Sequence, residues 1–142
     1  MTTQAVARGD DRRVRPAVTV VIADNDEAIL ELVLLDLQLE GYNVLATATS
    51  GEAAAELCAQ LHPDALVVDQ RMPPGPSGLE TIERVRAEGT AGVCILYTNY
   101  RSAQLQIATK RLGATFVEKG PLQTLRAALQ RRFPASETPP RA

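Results

Sequence analysis

The aspartate Asp69 closes the apolar run Ala65-Leu66-Val67-Val68 and opens a loop that holds Pro73, Pro74, Gly75 and Pro76. Such a run reads as a buried strand. A carboxylate at its C-terminal end lies where open α/β sheets take their ligands. Alone, Asp69 also fits an aspartate that starts a turn. Its company changes the balance. Asp24-Asn25-Asp26 ends a second apolar run, Thr98 and Asn99 end a third, and Lys119 follows a fourth. Carboxylates brought together repel unless a cation joins them, and oxygen ligands of this hardness suit Mg2+. With that charge neutralised, a carboxylate can attack phosphorus while a hydroxyl and an ammonium take the phosphoryl oxygens. The chemistry these residues permit is covalent transfer of a phosphoryl group onto an aspartate.

Five strand–helix repeats must position them. The first strand is Val18 to Ala23, and its β-branched residues are apolar on both faces, as in a central parallel strand. A helix from about Glu27 to Glu40 follows and stops at Gly41. Tyr42 to Thr47 is the second strand, and Thr49 with Glu52 forms a capping box for a helix to about Leu61. The Asp69 strand is third. Ser77 with Glu80 opens a helix to about Glu88, and Val93 to Tyr97 is the fourth strand. A helix from about Ser102 to Leu112 stops at Gly113, and Thr115 to Glu118 is the fifth strand. Pro121 lies in the first turn of a last helix, which runs to about Arg132. The pattern predicts an α/β fold with a five-stranded parallel sheet, doubly wound by helices. All strand C-termini then share one edge, which collects Asp24, Asn25, Asp26, Asp69, Thr98 and Lys119.

Composition narrows the class. The chain has 142 residues, 45% hydrophobic, with a net charge of -2, which suits one globular domain. Without Trp and with only two Phe and three Tyr, an aromatic platform for nucleic acid is not expected. No apolar run reaches the length of a membrane span, and the polar N-terminus lacks a secretory apolar region. Cys58 and Cys94 lack metal-ligand spacing and read as reduced core residues. Residues 1–16 carry mixed charges without apolar periodicity and read as a disordered arm, residues 17–133 as the domain, and residues 134–142 as a disordered tail.

From about Val18 to Phe133 the chain resembles the receiver domain of two-component response regulators. The resemblance rests on the Asp24-Asn25-Asp26 cluster, on Asp69 followed by Met72-Pro73, on Ser77-Gly78-Leu79-Glu80, and on Thr98 and Lys119, each in order at a strand end. It implies a flavodoxin-like (βα)5 fold and a chemotaxis-type single-domain regulator. Asp69 would be the phospho-acceptor. Mg2+ would be held by Asp24, Asn25, Asp69 and the backbone carbonyl of Arg71. Thr98 would turn toward the phosphoryl group and Lys119 would pair with it. Phe116 occupies the family's aromatic switch position, with simple core packing as the competing reading. The implied partners are a histidine kinase or histidine phosphotransfer protein and a downstream protein target, with neither nucleic acid nor membrane. The implied form is a cytoplasmic monomer or weak homodimer that signals by protein contact and is not an enzyme in its own right.

Departures from the family pattern bear on rate and lifetime more than on fold. Asn25 stands where a second acid usually binds the metal, the loop from Asp69 to Gly78 looks one residue longer, and Asn99 replaces a small residue after Thr98. Gly120 separates Lys119 from Pro121, and the Gly113-to-Lys119 spacing looks one residue short. Asn25 and Asn99 keep open a receiver-like interaction module that works without phosphate. A third reading, a haloacid-dehalogenase-type phosphatase with Asp24 as nucleophile and Asp26 as acid/base, leaves Met72-Pro73 unexplained. The first helix is rich in leucine. Helical spacing assigns Ile29, Leu32, Val33 and Leu37 to the core. Leu30 and Leu34 then form either a partner-docking patch or an extension of the core.

Overall fold

A computed structural model describes residues 16–134. The expected arm and tail lie outside the described residues, apart from Pro16 and Pro134. Five strands, β1 (Thr19–Ala23), β2 (Asn43–Ala48), β3 (Ala65–Val68), β4 (Val93–Thr98) and β5 (Thr115–Glu118), alternate with five helices. The helices are α1 (Glu27–Leu39), α2 (Gly51–Leu61), α3 (Gly78–Glu88), α4 (Ala103–Arg111) and α5 (Leu122–Arg132). All strand pairs are parallel, in the order β2-β1-β3-β4-β5. The expected doubly wound, flavodoxin-like sheet is therefore present.

Alternation along the strands builds two cores. Val20, Ile22, Ala65, Val67, Ile95 and Tyr97 face α1 and α5, packing with Val33, Leu37, Leu125 and Leu129. Val21, Ala23, Leu66, Val68, Cys94 and Leu96 face the other way, with Ala54, Cys58, Ile82 and Val85 from α2 and α3 and Leu105 from α4. Strands β3 and β4 are buried along their whole length, which explains why they read as continuous apolar runs. The chain turns from β2 back across β1 to β3, so β1 and β3 are the neighbours at which the winding reverses. Ligand crevices open at that point in such sheets.

Local chemistry fixes the helix starts, with some differences from expectation. The Asp26 side chain caps α1 by accepting from the N–H groups of Ala28 and Ile29. The Ser77–Glu80 capping box opens α3 as expected. At α2 the cap is Ser50, which accepts from Ala53 N–H, so the expected Thr49–Glu52 box is displaced by one residue. Pro121 is the cap residue of α5 and stands just before its first turn.

The largest correction concerns α1. Its buried stripe is Leu30, Val33 and Leu37, spaced i, i+3, i+7, while the expected core residue Leu32 is 52% exposed. Leu30 is 7% exposed and belongs to the core, and Leu34 is half-buried against the same cluster. The expected docking patch at Leu30 and Leu34 is therefore not a free surface. The outward apolar residues are Leu32, Leu35 and Leu39. Both stripes satisfy helical spacing, and the phase was set by how α1 lies on the sheet.

Candidate functional site

Four strand ends bring the chemistry together. Asp24 follows β1 and Asp69 follows β3, in strands paired at Ala23 and Val68. The Asp69 N–H donates to the Ala23 carbonyl at 3.0 Å and so extends that pairing to the site itself. Thr98 ends β4, and the Lys119 N–H donates to its carbonyl at 3.0 Å. Asp24, Asp69 and Thr98 are all buried.

Lys119 bridges the two acids. Its Nζ donates to Asp24 Oδ2 at 2.6 Å and lies 3.5 Å from Asp69 Oδ2. It also sits 5.9 Å from the centre of the Tyr97 ring, within reach of a cation–π contact. The other carboxylate oxygens are held by backbone: Asp24 Oδ1 accepts from Asp26 N–H at 2.9 Å, and Asp69 Oδ1 from Gln70 N–H at 2.8 Å. Burial pushes the Asp24 carboxyl above its ordinary value; the Lys119 and Asp26 hydrogen bonds pull it down, and the nearby Asp69 charge pushes it up again.

Two buried carboxylates thus share one ammonium. With both ionised, one unit of negative charge is left over in a site whose free donors are oxygens. That imbalance and that donor set fit a hard divalent cation such as Mg2+. Asn25, next to Asp24 in the chain, is exposed, and so is Arg71, whose carbonyl is the expected further ligand. Asp26 gives the site its backbone N–H, while its side-chain Oδ1 caps α1.

A cleft of about 300 Å³ opens over these groups, lined by Asp69, Arg71, Thr98, Asn99, Tyr100 and Lys119. The Arg71 guanidinium lies 4.2 Å from the centre of the Tyr100 ring, closing one side of the mouth. Thr98 Oγ1 accepts from Tyr100 N–H at 3.1 Å. Phe116 pairs in register with Leu96 and is half-buried against the α2–α3–α4 core, outside this cleft. Sequence reasoning missed Tyr100 and Gln70. The signal for Tyr100 was an aromatic two residues beyond Thr98, close enough to roof the same strand end. Gln70 gave none beyond its adjacency to Asp69.

Comparison with known proteins bears on family and fold. The family model described as response regulator receiver domain matches residues 20–130. Response regulator MprA of Mycolicibacterium vanbaalenii is 31% identical over 123 residues, which cover 82% of this chain and 52% of that protein. Regulatory protein AtoC of Escherichia coli is 27% identical over 95 residues, covering 67% of this chain and 20% of AtoC. The chain spans from about a fifth to about half the length of the curated relatives it matches. Among solved structures, CheY in the CheX-CheY-BeF3-Mg+2 complex from Borrelia burgdorferi has a TM-score of 0.75 at 21% identity, covering 82% of this chain and 89% of that one. The response regulator domain of Thermotoga maritima CheB has a TM-score of 0.70 at 22% identity, covering 88% and 100%. At those identities the two structures speak to the fold.

Proposed function

Because the chain belongs to the response regulator receiver domain family, we propose that it takes up a phosphoryl group on Asp69 from a histidine kinase or a histidine phosphotransfer protein. The observation that carries this reading is the convergence of Asp69 and Asp24 on Lys119, under a cleft that Thr98 also lines. Asp69 Oδ2 attacks phosphorus, and an O–P bond forms as the P–N bond to the donor histidine breaks. The donor imidazole leaves with the electron pair and takes up a proton. Lys119 pairs with the phosphoryl oxygens. Thr98 turns its hydroxyl to the same oxygens and gives up the hydrogen bond from Tyr100 N–H. The space it vacates is what Phe116 would fill as the switch residue.

Asp24, Asn25, Asp69 and the Arg71 carbonyl would hold Mg2+. When bound, the ion neutralises the charge of two approaching anions. Asn25 adds an oxygen without charge, so the site would bind the ion more weakly than one built with a further carboxylate.

The partner's helices would dock beside the cleft, on the outward side of α1. Support comes from a second cleft of about 230 Å³ at the neighbouring edge, between α1 and the start of α5, whose lining includes Ile29, Leu32, Lys119 and Leu122. Output would follow by contact with a further protein through the α4–β5 face, where Ile107 is 51% exposed.

The test is mass spectrometry after incubation with Mg2+ and acetyl phosphate. The expected outcome is a gain of one phosphate by the wild type and none by Asp69→Asn. Absence of any gain would favour the phosphate-independent interaction module, which Asn25 and Asn99 motivate. The phosphatase reading is set aside, because the receiver family model matches residues 20–130, which include both Asp24 and Asp26.

A further inference from the structure

The first N–H groups of a helix have no partner inside it. At α3, the Gly78 N–H donates to the Gln70 carbonyl at 2.9 Å. The Leu79 N–H donates to the Gln70 side-chain Oε1, also at 2.9 Å. The Glu80 N–H goes to Ser77 Oγ at 3.1 Å. Two of these three orphan donors therefore end on one residue, which lies nine positions before Leu79 and directly beside Asp69. The Gln70 N–H in turn donates to Asp69 Oδ1 at 2.8 Å.

Glycine at position 78 makes this closure possible. A Cβ there would collide with the Asp69 carbonyl and press on Leu96 Cδ1. The N-terminus of α3 is thus seated against the backbone of Asp69, and Gln70 is the clasp between them. The intervening loop, with Pro73, Pro74, Gly75 and Pro76, is anchored at its Asp69 end by this residue.

We propose that Gln70 is a positioning residue for the phospho-accepting carboxylate. By capping α3 across the loop, it holds its own amide against Asp69 Oδ1 and leaves Oδ2, beside Lys119, as the attacking oxygen. This inference rests on the phosphorylation reading above, and the two can fail separately.

The experiment compares the full chain with Gln70→Met, which keeps length but loses the acceptor, and Gln70→Glu, which keeps an oxygen for the Leu79 N–H. Two quantities are read: the initial rate of phosphate gain from acetyl phosphate with Mg2+, and the NMR shift of the amide proton at position 70. In Gln70→Met the rate is expected to fall about tenfold, as misplacement of a reacting group by a fraction of an ångström would cause. The amide proton is expected to move upfield as its bond to Asp69 lengthens. Gln70→Glu returns both toward wild type. If only one of the two moves, or Gln70→Glu recovers neither, the positioning role is overturned. So it is if Gln70→Met merely melts at a lower temperature, which would make Gln70 a helix cap and nothing more. If the wild type takes up no phosphate, it is the phosphorylation reading that fails, and the amide shift alone then decides whether Gln70 positions Asp69.

Discussion

Asp24 is a residue on which fold and function pull in opposite directions. The residue is 3% exposed, and burial raises its pKa above the ordinary 3.8 even though Lys119 donates to it. A carboxyl with a raised folded-state pKa favours the fold only while protonated. That contribution is complete below pH 3.8 and is lost as the pH rises through the folded value. At pH 7 the ionised Asp24 therefore weighs against the fold. Asp24→Asn keeps the shape and removes the charge, and Lys119 retains Asp69 at 3.5 Å. The variant is expected to melt a few degrees higher than wild type at pH 7, an advantage that shrinks as the pH approaches 3.8. Melting curves across pH 4 to 8 measure this, and equal or lower stability at pH 7 refutes it. Stability given up at one carboxylate is what a cation site would cost a fold.

Among the elements, α1 carries the most consequential division of labour. Its inward stripe, Leu30, Val33 and Leu37, packs on the sheet, while Leu32, Leu35 and Leu39 face outward. The two stripes predict different behaviour on substitution. Leu30→Ala removes buried methyl groups and is expected to cost about 2–5 kcal/mol of stability, read by denaturant unfolding. Leu35→Glu alters a side chain that is 51% exposed and is expected to leave the unfolding midpoint unchanged. Under the docking proposal, it slows phosphate uptake from a histidine kinase that acts on the wild type. Uptake from acetyl phosphate, which needs no docking, stays as it was. Equal slowing with both donors would move the effect into the site and away from docking. A second link ties α1 to α5: Arg126 Nε lies 3.1 Å from Asp36 Oδ2 but out of line for a hydrogen bond. At that geometry the contact is electrostatic and modest.

For the whole molecule, the two-sided core decides which groups stay chemically silent. Cys58 and Cys94 are fully buried in the same core, on the α2–α3–α4 face. Burial pushes the Cys58 thiol up to about 12, with Cys94 adding to it, and the Cys94 thiol up to about 11. Only the thiolate reacts with alkylating agents. Neither thiol is expected to react with iodoacetamide at pH 8 in the folded protein, and both react once denaturant opens the core. Alkylation of the native protein at the rate of a free thiol would refute this. Among the described residues no helix is long and apolar enough to cross a membrane.

The fold was legible in the sequence because it depends on periodicity and punctuation. Buried parallel strands must be apolar on both faces, and helices must start at residues such as Asp26, Ser77 and Ser102, which can hold free N–H groups. The strand ends were legible for the same reason: Asp24, Asp69, Thr98 and Lys119 each interrupt an apolar run. Tertiary structure alone decided the phase of α1, since two stripes met the 3.6-residue period and only packing on the sheet selects one. It also decided how the acids are held. Lys119 reaches Asp24 across 95 residues of chain, and Gln70 meets Leu79 across nine. Sequence fixes which groups arrive at the edge of the sheet; strand order fixes which of them touch.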